Sequence, residues 1–366
     1  MKINYVRLDK QSKHQSRDLL KIFKNSLNKS IFVNGEEVGK FEKKVAQKCG
    51  VKYAVALNSG TDALTLALKL LGIKKGDEVI TPPNSFISST SSIIHLGAKP
   101  VFVDVADDQN IDPNFIEKKI TKKTKAIMPV HLTGRICEMN KIMKISKKHK
   151  IPVIEDAAQS IGSKYYNKAA GSIGDIGCFS THPLKNLNAC GDGGFLTTNK
   201  KNFYLLAKSL QNNGMFGRNE VKHFGYLSRM DVLQASILNY RLSKLDELIK
   251  KRRANFQLYK EFLNRETVFF PDEKEYQFNT YHTFVIQVDK RKELINYLKK
   301  RGIQTAIHYP IPIHKQSAYK NKFGNLSLKN TEAFSKQILS LPIHNWLTLR
   351  DIEYVVKKIR SFFNKS

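Results

Sequence analysis

Residues 151–160 read IPVIEDAAQS, and residues 174–199 read GDIGCFSTHPLKNLNACGDGGFLTTN. The first piece is a short apolar strand ending in an acid, Asp156, with Gln159 one turn further on. A hairpin punctuated by glycine separates it from a second apolar strand. That strand delivers Ser180 and then Lys185 into a loop leading to GDGG. An acid at a strand end, a hydroxyl and a lysine in this order suit pyridoxal phosphate. The amine forms a Schiff base, the acid keeps the pyridine nitrogen protonated so that the ring accepts electrons, and the hydroxyl holds phosphate. Apolar strands ending in an acid are common in α/β proteins, and this chain is crowded with lysine. An isolated Asp–Lys pair would therefore say little, whereas acid, amide, hydroxyl, lysine and glycines in order within one span say far more.

Outward from this stretch the chain alternates strands and helices. YAVALN from Tyr53, a helix over 61–71, EVIT from Glu78, a helix over 86–96 and PVFVDV from Pro100 precede KAIMPVH, a helix over 137–148 and PVIED. Such alternation predicts an α/β fold with a largely parallel sheet covered on both faces. Residues 1–30 are polar and read as an arm with one helix over 16–27. After Gly225 a long helical pattern over 231–262, with Leu238, Leu242, Leu245 and Ile249 on its apolar side, leads into a smaller α+β segment. Strands are expected there near TFVIQV and QTAIHY. The division expected is an arm (1–30), a large domain (31–240) and a small C-terminal domain with its linking helix (241–366).

The formal net charge of +30 over 366 residues raises the question of nucleic acid. The positive residues are mostly Lys scattered in pairs, without a recognition helix, zinc-finger spacing or aromatic RNA-binding signature. They read as solvated surface, so nucleic-acid binding is not expected. Cys49, Cys137, Cys178 and Cys190 have neither metal-ligand spacing nor the density of a disulfide scaffold, which fits a reducing cytoplasm and no metal. No signal-like or membrane-spanning apolar run is present in the sequence.

Asn58-Ser59-Gly60-Thr61-Asp62 lies between a strand and an amphipathic helix. Ser59 and Asp62 have the spacing of a capping box, so an ordinary helix N-cap accounts for them. The same geometry, with Gly60 allowing close approach, also makes a phosphate seat.

FSTHPLKN followed by GDGG, with EDAAQS and NSGTDAL upstream, resembles the DegT-type nucleotide-sugar aminotransferases, of the fold type I group of pyridoxal phosphate enzymes. The similarity runs from NGEEVGKFE at Asn34 to HYPIPIHKQSAY at His308 and ILSLPIH at Ile338. The resemblance implies a large domain with a mostly parallel seven-stranded sheet and a smaller C-terminal α+β domain. It implies that Gly60, Thr61 and Ser180 hold the cofactor phosphate, that Phe86 stacks on the pyridine ring, and that Asp156 and Gln159 meet the ring nitrogen and the region of the ring hydroxyl. Lys185 becomes the Schiff-base lysine and the catalytic base. Relatives with His in its place dehydrate a keto-deoxy sugar; here PLKN leaves Lys at that position and His182 aside, so transamination is expected.

The resemblance further implies a homodimer with shared active sites, pyridoxamine phosphate as the intermediate cofactor form, and L-glutamate as donor. The acceptor would be a nucleotide-linked keto sugar for surface polysaccharide such as lipopolysaccharide O-antigen. GDGG rather than GEGG favours a 3-keto-6-deoxyhexose, dTDP-linked, over a 4-keto sugar. His308, Tyr309 and His314 become substrate-side candidates. One departure stands out: relatives read GYN-x-R, whose Asn reaches the partner's cofactor phosphate, whereas this chain reads Gly225-Tyr226-Leu227-Ser228-Arg229. Leu227 cannot donate that bond, leaving Ser228, Arg229 or Asn213 to compensate or the contact absent. From another class, a non-catalytic cofactor-bound regulator on the same fold is the alternative.

Overall fold

In a computed structural model, which describes residues 1–217 and 219–364, the strands Tyr53–Leu57, Gly194–Thr198, Ile176–Ser180 and Ile154–Asp156 pair in that order. Lys99–Phe102, Glu78–Thr81 and Thr124–Ile127 form a second sheet with Glu78–Thr81 in its centre. Parallel bridges Ile127↔Val153 and Val130↔Asp156 bring the two sheets edge to edge. Within this array only Gly194–Thr198 runs against its neighbours.

These strands are buried along almost their whole length, which is why their sequences are apolar runs instead of alternating patterns. The period of two survives as a division between faces. Ala54, Ala56, Phe179 and Phe195 join one core with Phe41 and Val45 of the helix Glu36–Cys49 and Ile142 of the helix Met139–His149. Val55, Leu57, Cys178 and Leu196 join the other, with Leu64 and Leu68 of the helix Gly60–Leu70. Phe179 and Phe195 stack at 4.5 Å across the one antiparallel boundary they share.

A third core belongs to the C-terminal part. Phe284–Gln287 pairs antiparallel with Ile338–Leu341, and Phe284, Leu339 and Leu341 pack with Phe256, Tyr259, Ile352 and Val355. The helix Leu245–Phe262 joins the halves: Leu245 and Ile249 lie in the first core, Phe256 and Tyr259 in the third.

Several expected boundaries are corrected. The helical pattern over 231–262 is two helices, Val232–Leu242 and Leu245–Phe262. At the break the Ser243 hydroxyl donates to Tyr240 O, and Lys244 N–H takes the Arg241 carbonyl three residues back. QTAIHY is not a strand; only Ala306 pairs, with Ser340, before the prolines at 310 and 312 remove further donors. The first helix runs Leu8–Lys29, not 16–27. The residues before it are anchored: Ile3 bonds Gly302 and Gln304 through its backbone and is buried in the third core.

Candidate active site

At the carboxyl ends of the parallel strands lies a cavity of about 470 Å³, where ligands of open α/β sheets bind. Asp156 is the last residue of its strand and is 4% exposed. Its Oδ2 accepts from Ser89 Oγ at 2.7 Å and its Oδ1 from the Ala158 N–H at 3.2 Å. Burial pushes the Asp156 carboxyl above its ordinary value, against the pull of the Ser89 hydroxyl and the Ala158 N–H. Lys185 lines the same cavity, and burial pushes its amine down to about 8, with Asp156 opposing that shift.

Asp156 is held from behind. Glu155, next to it on the strand, is wholly buried and accepts at Oε1 from the Ile173 and Gly174 N–H groups at 2.7 and 2.6 Å. Its Oε2 takes the Gly171 N–H and His131 Nε2, each at 2.9 Å. The Cys137 N–H donates to His131 Nδ1, which leaves the His131 proton on Nε2, facing Glu155. The backbone of Asp156 then bonds Pro129 and His131, just past the end of the neighbouring strand Thr124–Ile127, which fixes the backbone that carries the acid.

Ser180 ends its strand and faces the start of the helix Gly60–Leu70. Ser59 caps that helix, its Oγ accepting from the Asp62 N–H at 3.0 Å, as the capping reading expects. The N–H groups of Gly60 and Thr61 meet no acceptor among the described residues, as the first donors of a helix do not. A Cβ on Gly60 would stand 2.7 Å from Ser180 Cβ and 3.0 Å from its Cα. Gly194 packs as tightly on the Ser59–Gly60 backbone. Free N–H groups and a hydroxyl, pressed together by glycines, fit a phosphate, while a buried acid and a lysine share the same cavity. The residues present thus fit pyridoxal phosphate.

Phe86 precedes the helix Ser88–His95 and turns its ring, 58% exposed, into the cavity, 6.2 Å from the Tyr309 ring. The Gln159 carbonyl accepts from the Thr133 N–H at 2.8 Å, so only its amide N–H groups are left for the cavity, one reaching Tyr309 Oη at 3.4 Å. His308 also lines the cavity, with Nδ1 at 2.8 Å from Ser340 Oγ.

His314 is the exception. It is fully buried, 3.2 Å from Glu332 and against the Phe102 ring, outside the residues that line the cavity. Its place in the chain beside His308 put it among the candidates, but the turn at Ile313–Lys315 directs it into a small satellite core with Ile313 and Tyr319.

Leu227 is 63% exposed, while Ser228 is buried. The Ser228 hydroxyl donates to Asp62 Oδ2 and accepts from the Asn58 N–H, which ties it to the phosphate-seat loop. Arg229 bonds Asn212, and Asn213 bonds Tyr226 through its backbone.

Sequence reasoning missed Ser89, which holds Asp156; Arg252 and His282, which enter from the C-terminal half; and Tyr5, from the first residues. Only Ser89 carried a signal, its place one helical turn after Phe86.

The model of the DegT/DnrJ/EryC1/StrS aminotransferase family matches residues 13–360. A dTDP-3-amino-3,6-dideoxy-alpha-D-galactopyranose transaminase of Aneurinibacillus thermoaerophilus is 38% identical, over 98% of this chain and 99% of that one. A protein of Geobacillus stearothermophilus called a pleiotropic regulatory protein is 35% identical over 99% of both. The crystal structure of DesV of S. venezuelae, in complex with a ketimine intermediate, superposes with a TM-score of 0.96 at 32% identity, covering 99% of this chain and 98% of that one. Other solved structures with this fold are in pyridoxal phosphate or pyridoxamine phosphate form. With the match spanning nearly the whole chain and the lysine and acid in one cavity, this protein belongs to the DegT/DnrJ/EryC1/StrS aminotransferase family.

Proposed function

We propose that the protein moves the amino group of L-glutamate to the C3 keto carbon of a dTDP-linked 6-deoxyhexose, in the making of an amino sugar for a surface polysaccharide. The observation that carries the reading is the joining of Asp156, Lys185 and the Gly60–Ser180 seat in one cavity. The 3-amino sugar named in the Aneurinibacillus relative supports the position of transfer.

The enzyme is a pyridoxal phosphate-dependent aminotransferase, and the bound cofactor supplies an electron sink and a carrier for the amino group between the two substrates. Gly60, Thr61 and Ser180 hold its phosphate, through backbone N–H groups and a hydroxyl. Asp156 holds a proton on the ring nitrogen. A cation beside it favours the carboxylate and offsets the burial that raises its pKa when it stands alone. Gln159 would serve as a donor to the ring, and Phe86 would pack against it.

Lys185 Nζ is the base. It takes the proton from the donor's Cα and delivers it at the reacting carbon. With burial pushing its pKa down to about 8, about a tenth is free amine at pH 7 before cofactor binds, where an unperturbed lysine would be almost wholly protonated.

A homodimer fits the exposed apolar side chains near the N-terminus: Leu20, Phe23 and Leu27 on the first helix, then Ile31, Phe32 and Val33. Patches of this kind mark interaction surfaces. A monomeric mass in sedimentation, with full activity after nanomolar dilution, would overturn it.

The relative called a pleiotropic regulatory protein supports a second reading, a regulator that binds cofactor and does no chemistry. The intact Lys185 and Asp156 argue against it. Purified protein supplied with a panel of nucleotide-linked 3- and 4-keto sugars and glutamate decides among these. Turnover with 3-keto sugars, abolished in Lys185→Ala, supports the proposal. Turnover with 4-keto sugars alone moves the transfer to C4, and a yellow protein that turns over none of them favours the regulator. Borohydride should fix the chromophore on Lys185, and peptide mapping to another lysine would remove Lys185 from its role.

A further inference from the structure

Arg252, on the helix that joins the two halves of the molecule, is 8% exposed and lines the cavity. A guanidinium so buried is ordinarily paired with a carboxylate, because an uncompensated buried charge is expensive. Here no acid pairs with it among the described residues. Its Nη1 donates to the carbonyls of Tyr281 and His282, each at 3.1 Å, and its Nε is buried without a partner. The two carbonyls fix the fork in place but leave its charge uncancelled.

The neighbours narrow the choice of anion. His282, His308 and His344 line the same cavity, and burial keeps each of them well below the ordinary imidazole value, so they are neutral at pH 7. Among the described residues of this chain, Arg252 and Lys185 are thus the only lysine or arginine side chains that line the cavity, and Lys185 is the base. His182 and Asp192 line the exposed part of the same cavity, and an acid there disfavours an anion with more than one charged group. A guanidinium with so little of its surface open to the cavity suits a compact anion better than a bulky diphosphate.

We propose that Arg252 is the seat of the amino donor's carboxylate, so that one buried guanidinium selects amino acids over simple amines. This rests on the aminotransferase reading above. A carboxylate at the planar guanidinium supplies the countercharge that no described residue provides. The carbonyls of Tyr281 and His282 set the direction of the fork, so donor recognition is coupled to the segment that carries His282.

The test uses the intact enzyme with cofactor bound, as wild type, Arg252→Lys and Arg252→Ala. Single-turnover absorbance gives the apparent Kd of glutamate, steady-state kinetics give the KM of the keto sugar, and calorimetry gives the affinity for succinate, which cannot react. Loss of a charge-assisted buried bond predicts a rise of about 10- to 100-fold in the glutamate Kd in Arg252→Ala. Succinate affinity should fall by a similar factor, with the keto-sugar KM within about threefold. Arg252→Lys should fall between the two, and added ethylguanidinium should restore part of the glutamate affinity of Arg252→Ala. Equal weakening of both substrates without rescue would make Arg252 a prop for the loop at Tyr281–His282 and overturn the seat. Weakening of the sugar alone would assign it to the diphosphate and overturn it too. Succinate reads the seat apart from the chemistry. Arginine-dependent binding in a protein that transfers no amine keeps the seat and overturns the proposed function, whereas no such binding in an active enzyme does the reverse.

Discussion

Gly60→Ala puts one methyl group into the tightest part of the site. The new Cβ would stand 2.7 Å from Ser180 Cβ, 3.0 Å from its Cα and 3.2 Å from its Oγ. Carbon atoms in contact prefer about 3.5–4.0 Å, so the helix start and the strand end must part by roughly 1 Å. Two of the three obstructing atoms are backbone Cα and the Cβ fixed to it, so no rotamer of Ser180 relieves the contact. Overpacking of this kind costs about 1–3 kcal/mol. Gly60 does not sit in the left-handed region, so alanine recovers roughly 0.5–1 kcal/mol through lower chain entropy. A net loss of about 0.5–2 kcal/mol remains. It falls on the phosphate seat, since the N–H groups of Gly60 and Thr61 must draw away from the Ser180 hydroxyl. At 1.4 kcal/mol per factor of ten, cofactor Kd should rise roughly 2- to 30-fold. Fluorescence titration of the cofactor-free protein with pyridoxal phosphate measures the Kd, and thermal unfolding without cofactor measures the loss of stability. A variant that is more stable than wild type and binds cofactor equally well would refute the argument, because it would mean that the helix and strand yield freely.

Glu155→Gln should destabilise the protein by about 3 kcal/mol, read as a lower urea midpoint. An amide cannot accept on both sides, and its NH2 must face either two backbone N–H groups or a third with His131; an unchanged midpoint would deny Glu155 its anchoring role. In the cofactor-free protein the Lys185 amine should acetylate with a midpoint near pH 8 instead of above 10, and a midpoint near 10.5 would show that burial does not lower it. The sign for stability follows. Because the folded value lies below the unfolded one, the unfolded chain binds more protons between about pH 8 and 10.5, so Lys185 makes the cofactor-free protein more stable as pH rises through that window. Finally, if the +30 charge steers an anionic sugar nucleotide, its kcat/KM should fall more steeply than that of glutamate between about 10 and 300 mM salt, as the Debye length drops from roughly 30 Å to below 10 Å. Equal sensitivity would mean that the lysines are undirected surface charge.

The phosphate-seat loop, the acid and the lysine were legible in the sequence because each is a local event. A strand must end at Asp156 and at Ser180 for the next helix or loop to begin, and Ser59 must cap the helix that Gly60 starts. The same locality made the alternation of strands and helices readable, since a strand covered on both faces has to be apolar throughout. What the chain leaves silent is any role that comes from another element. Arg252 sits in a helix whose pattern reads as amphipathic surface, and only the crossing of that helix between two cores turns its guanidinium into the cavity. Tyr5 lies in a polar leader that becomes cavity wall because Ile3 pairs with the C-terminal half near Ile303. His308 and His314 show the limit within a single motif. Six residues apart and flanked alike by prolines, one lines the cavity and the other is buried in a satellite core, a difference made by the turn at Ile313–Lys315 and by the Glu332 carboxylate waiting beside it. Spacing along the chain fixes which residues share a turn; only the packing of distant elements decides which of them face the same empty space.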